Sequence, residues 1–127
     1  MEDFNGVKAV GYLVAVINGE VFETNDVTWL GGARRISVGG KNSDSGKSTY
    51  IDIPSSSRPG THNIGGSIEV FYNHQAFGRT WLADSGTITI DLIEEHFIKY
   101  KFDFVAVEPV AGGRRFRLSG AAEIKVL

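Results

Sequence analysis

His96-Phe97-Ile98-Lys99-Tyr100-Lys101-Phe102-Asp103-Phe104-Val105-Ala106-Val107 is the stretch that decides the fold. Ile98, Tyr100, Phe102, Phe104 and Ala106 take every second position, and Lys99, Lys101 and Asp103 fall between them. A side-chain period of two turns one face to a core and the other to water, so the stretch reads as a half-buried strand and not as a helix. Upstream, Gly86-Thr87-Ile88-Thr89-Ile90 alternates in the same way, and the polar run 91–95 joins the two. The pair is expected to be antiparallel, with a core built on Ile88, Ile90, Ile98, Tyr100, Phe102 and Phe104.

Outward from this pair, the remaining chain reads as further strands. In residues 8–17 both alternation sets are apolar, Val10, Tyr12, Val14 and Val16 on one and Leu13, Ala15 and Ile17 on the other. That predicts a strand covered on both faces for part of its length. Asn18-Gly19 tolerates the positive φ that a two-residue type I′ hairpin turn requires, and the return strand 20–24 places Phe22 on the face of Ala15. Strands follow at 27–30 and 34–38, then a polar, glycine-rich loop at 39–48. The next strand, 49–53, sets Tyr50 out of phase with Ile51 and Ile53.

The serine-rich connection 54–59 is bounded by prolines and cannot pair inside a sheet. After the extended segment 60–64, strand 67–72 turns Ile68, Val70 and Tyr72 inward and Glu69 and Phe71 outward. A tip at 73–78 leads to a strand at 79–83, and Asp84-Ser85 turns the chain into the organising pair. Beyond Gly112-Gly113, strands 114–118 and 121–127 end it. About ten short strands with no amphipathic helix predict an all-β fold, an antiparallel β-sandwich able to close towards a barrel. The 127 residues suit one domain, 1–127.

Composition narrows the function by exclusion. Without cysteine there is neither a disulfide framework nor a thiolate zinc site. A formal charge of -2 gives no electrostatic reason to expect nucleic acid or an acidic membrane as partner. No apolar run reaches the roughly 18 residues of a membrane-spanning helix. Met1-Glu2-Asp3-Phe4 lacks the basic start of a secretory signal. A native start at Met1 implies the cytoplasm, whereas an exported or surface-attached protein would already have lost its leader.

Several fragments together resemble a family of small bacterial all-β domains of unknown function, often carried on lipid-anchored surface proteins. They are Leu13-x-Ala15-x-Ile17-Asn18-Gly19-x-x-Phe22, Gly60-Thr61, Ser85-Gly86-Thr87-Ile88-Thr89-Ile90, Ile98-x-x-x-Phe102-x-Phe104-x-Ala106 and Ser119-Gly120. The resemblance implies an all-β sandwich and carries no catalytic residues. Tyr100 stands where the family pattern has a small residue, and the chain shows no lipid-attachment cysteine.

Motifs with chemical meaning are few. Gly46-Lys47-Ser48 ends like a phosphate loop, but Lys41 stands where the leading glycine belongs, and residues 49–53 are strand-like where a helix must open. Asn42, Asp44 and Gly46 echo a calcium loop that lacks its closing glutamate. Arg114, Arg115 and Arg117 alternate with Phe116 and Leu118 as on an ordinary solvated strand face. His62, His74 and His96 share no metal-ligand spacing, and Glu94 and Glu95 point apart as neighbours do. No cofactor or metal is expected.

Aromatic rings flanking a polar tip are the feature that points to binding. Phe71, Asn73, His74, Gln75, Phe77 and Trp81 combine flat apolar area with amide and imidazole groups, a pattern suited to stacking on sugar faces while amides take hydroxyls. The competing reading places Trp29, Tyr72 and Trp81 in the core. The expected function is a non-catalytic binding or interaction module, for carbohydrate or for a protein partner. The alternatives are a carrier enclosing a small apolar ligand in a barrel, and an enzyme whose site is assembled across strands from His62, His74, Arg79 or Asp84.

Overall fold

The computed structural model describes residues 7–74 and 80–127. It consists of strands β1 (Val7–Ile17), β2 (Glu20–Thr24), β3 (Val27–Gly31), β4 (Arg35–Asn42), β5 (Lys47–Pro54), β6 (Gly60–Asn63), β7 (Glu69–His74), β8 (Thr80–Glu94), β9 (Phe97–Val107) and β10 (Arg115–Val126). Among the described residues there is no helix. β8 and β9 are the antiparallel pair expected, with Ile88 opposite Phe102 and Ile90 opposite Tyr100, but residues 91–94 continue β8 and only Glu95-His96 form the turn, not 91–95.

The antiparallel ladder runs β10-β9-β8-β7-β5-β4-β3-β1-β2, and β1 also pairs with β10 from Ala9↔Val126 to Ile17↔Leu118. The sheet therefore returns on itself as a barrel. Two long strands carry short partners along their flanks. β1 pairs with β3 at its start and with β2 beyond Leu13, while β8 pairs with β7 at its start and with β6 further on.

Packing follows from the alternation. Leu13, Ala15 and Ile17 of β1, Val38 of β4, Ile51 and Ile53 of β5, Tyr72 of β7, Trp81 of β8 and Leu118 of β10 join the six predicted core residues in one buried cluster. A barrel of about eight strands has an interior that side chains alone can fill. Here bulky rings fill it. Trp81, Tyr72, Tyr100 and Phe104 are among the largest side chains with essentially no exposure.

The two-residue turn is also as read: Asn18 and Gly19 have φ of 52° and 91°, and Ala15 pairs with Phe22.

Four further local expectations are corrected. The stretch 39–48 is not a loop, because β4 and β5 pair out to Asn42↔Lys47 and leave a turn of only 43–46. Asp84-Ser85 is not a turn; β8 passes through it with a bulge between Ala83 and Ser85 that bends the strand. Ser119-Gly120 does not break β10, since both residues pair with β9 and with β1. Finally, β1 is not covered on its outer face: Val10, Val14 and Val16 are exposed, as is Val21 beside Val16 on β2.

Candidate functional site

The outer wall of β4, β5, β7 and β8 carries the most ligand-like surface. Register sets its side chains in rows across the strands. Gly39, Tyr50, Phe71 and Leu82 form one row, and Lys41, Ser48, Asn73 and Thr80 form the next. On the other side lie Ser37, Asp52 and Glu69. The middle row is apolar and flat, with Leu82 52% exposed. The row beside it holds the Lys41 ammonium, two hydroxyls and one amide, and the Asn73 amide donates to the Thr80 hydroxyl at 3.5 Å.

Glycine shapes this surface. The Tyr50 ring lies against Gly39, where an added methyl group would stand 2.5 Å from its Cδ1. Thr28, which faces Gly39 from β3, stands close enough to the Tyr50 hydroxyl to act on it. Burial pushes that hydroxyl above its ordinary pKa; the nearby Thr28 hydroxyl works the other way, and the Asp26 carboxylate adds to the rise. The ring is thus held flat on the sheet beside Phe71. Ser37, Ser48, Tyr50, Phe71, Asn73 and Thr80 together line an open cleft of 390 Å³. None of these six carries a formal charge.

The residues singled out from sequence divide between the two sides of the wall. Phe71 and Asn73 point outward into this cleft, as the alternation of 67–72 requires. Trp81 is fully buried, edge-on to Tyr72 at 5.9 Å and tilted on Phe116 at 4.8 Å, so it belongs to the core. His74 lines a different cleft at one end of the barrel, with Ile17, Glu20, Lys47, Tyr72 and Phe116. There burial, and behind it the Glu20 carboxylate, push Tyr72 up to about 12. Gln75 and Phe77 lie outside the described residues.

Sequence reading missed Tyr50, Ser37, Ser48 and Thr80 as partners of Phe71 and Asn73. Its one usable signal was the phase of Tyr50 against Ile51 and Ile53. Which strand stands beside which is a long-range fact that periodicity does not contain.

The groups proposed for a cross-strand enzyme do not converge. His62 pairs opposite Ile88, while Asn73 pairs opposite Thr80 and His74 lies beyond it, so His62 and His74 stand more than eight positions apart along β8, on the order of 30 Å. His62 bonds the Arg58 carbonyl at 2.7 Å, and Asp84 is held by Arg115 at 2.9 Å. Arg79 lies outside the described residues.

Two tempting motifs resolve into turn and wall chemistry. Asn42 spends its side chain on the Ser45 amide and the Glu23 carbonyl. Arg114, Arg115 and Arg117 each face a carboxylate, Glu108, Asp84 and Asp103. Among the described residues no group of three or more His, Asp or Glu side chains could hold a metal ion.

At the opposite end of the barrel an open cleft of 420 Å³ is lined by Trp29, Ile36, Ile93, Glu95, His96 and Val126. Among the described residues no helix is long and apolar enough to cross a membrane. Comparison of the chain with protein-family models, with curated proteins and with solved structures gives no match.

Proposed function

We propose that this protein is a non-catalytic binding module that takes carbohydrate on the outer wall, along the Tyr50–Phe71 cleft. The observation that carries this reading is the pairing of two outward rings with a parallel row of hydroxyl and amide groups. Sugar rings present flat C–H faces beside projecting hydroxyls, so a ligand lying across the strands meets apolar surface below and hydrogen-bonding groups at its side. Tyr50 supports the reading further, because a ring already held against Gly39 loses little freedom on binding.

A filled barrel interior weighs against the apolar-carrier alternative, because the core rings occupy the space such a ligand needs. The test is a glycan array probed with the wild type, Phe71→Ala and Asn73→Ala. Binding that falls at least about tenfold in Phe71→Ala, at unchanged melting temperature, supports the reading. An array without a binder, or a binder indifferent to Phe71, refutes it.

A further inference from the structure

The cleft does not end at Asn73. Ser48 and Asn73 also line a second open cleft of 340 Å³, whose remaining walls are Lys41, Asn42, Ser43, Gly46 and Lys47. The two clefts share these side chains, so they form one trench with a neutral aromatic part and a basic part. Resting on the carbohydrate reading, we infer that the trench selects an acidic oligosaccharide, whose anionic substituent, a carboxylate or a sulfate ester, sits at Lys41 while neutral residues stack on Tyr50 and Phe71.

Charge along the trench supports this placement. Lys41 is exposed on the same outer face as Ser48 and Asn73, and among the described residues its ammonium has no carboxylate partner. Lys47 differs: its Nζ lies 3.4 Å from Glu20, so part of its charge is already answered. Asp44, in the turn between β4 and β5, is not part of the lining. Asp26 reaches Lys41 only through its backbone carbonyl, which accepts the Lys41 amide at 3.0 Å. Asp26 stands opposite Lys41 with its carboxylate acting on the Tyr50 hydroxyl, while the other acidic groups of this wall, Asp52 and Glu69, lie in the row beyond Tyr50 and Phe71, on the side away from Lys41. An anion at Lys41 therefore gains one unanswered cation and avoids the carboxylates of Asp52 and Glu69.

The test uses the full chain on an array of neutral, uronate-containing and sulfated oligosaccharides matched in length, at low and at high salt. The expected result is about threefold tighter binding of at least one acidic class at low salt, an advantage erased by Lys41→Ala and by added salt. Lys41→Ala is expected to cost acidic ligands clearly more than neutral ones. A uronate-only or sulfate-only advantage tells the two sources apart. Neutral and acidic glycans bound equally, or a Lys41→Ala loss shared equally by both, overturn the inference while the carbohydrate reading stands. No binding to any class overturns both.

Discussion

The ring of Tyr50 rests on Gly39, so close that a methyl group at Gly39 would stand 2.5 Å from Cδ1 of Tyr50 and 2.7 Å from its Cα. These residues are direct cross-strand partners on β4 and β5, and the second contact is to backbone, which cannot swing away. Gly39→Ala is therefore expected to lower stability by about 1–3 kcal/mol and to lift the ring from the wall. Denaturant melts and the Tyr50 ring resonances check both effects. An alanine variant with wild-type stability and an unshifted ring would show that the wall has slack there.

Asn18-Gly19 closes the β1–β2 hairpin with positive φ at both residues. An added Cβ at position 19 meets nothing within 4 Å, so the positive φ is what a side chain there must contend with. Gly19→Val is expected to destabilise by at least about 1 kcal/mol, and Gly19→Asn by less. Equal melting temperatures for the valine variant and the wild type would contradict the turn assignment.

Tyr100 fills the barrel interior at 1% exposure, and among the described residues its hydroxyl has no hydrogen-bond partner. Burial, with a smaller contribution from Tyr50, raises its pKa well above the ordinary tyrosine value. Removing a buried, unanswered hydroxyl costs nothing in hydrogen bonds. Tyr100→Phe is expected to leave stability unchanged or raise it by up to about 1 kcal/mol. A loss of 1 kcal/mol or more would reveal a partner for that hydroxyl.

Asp103 on β9 and Arg117 on β10 join two neighbouring strands through hydrogen bonds of 3.0 and 2.7 Å. That bond holds the Asp103 carboxyl below its ordinary 3.8, against a smaller opposing effect of burial. A depressed folded-state value adds stability that is fully present above the unfolded pKa and is lost as pH falls through the folded one. The contribution is thus complete near neutrality and fades below about pH 4. Asp103→Asn is expected to be slightly less stable than the wild type at pH 7, with the gap closing at pH 2. A gap that persists at pH 2 would assign the effect to packing.

The fold was legible because its signal is local. Ile98 to Ala106 alternate cleanly, Asn18-Gly19 demands one kind of turn, and the phase of 67–72 places Tyr72 inside and Phe71 outside, as found. Strand continuity was harder to see. Polar or glycine residues at 39–42, 84–85 and 119–120 look like breaks, yet a wall with one wet face accepts them, and at Gly39 the Tyr50 ring fills the space.

The candidate site was half legible. Sequence brought Phe71 and Asn73 together with Trp81 because they are near in the chain. Trp81, however, follows an inward phase on β8, and the ring beside Phe71 belongs to Tyr50 on β5, some twenty residues earlier in the chain. Only strand order could make that exchange.

The most direct test is amide chemical-shift mapping with the strongest binder from the glycan array. The account predicts perturbations concentrated at Ser48, Tyr50, Phe71, Asn73 and Thr80 on the outer wall, with the barrel ends quiet. Shifts centred instead on Trp29, Ile93 and His96, or on Ile17 and Phe116, would contradict it.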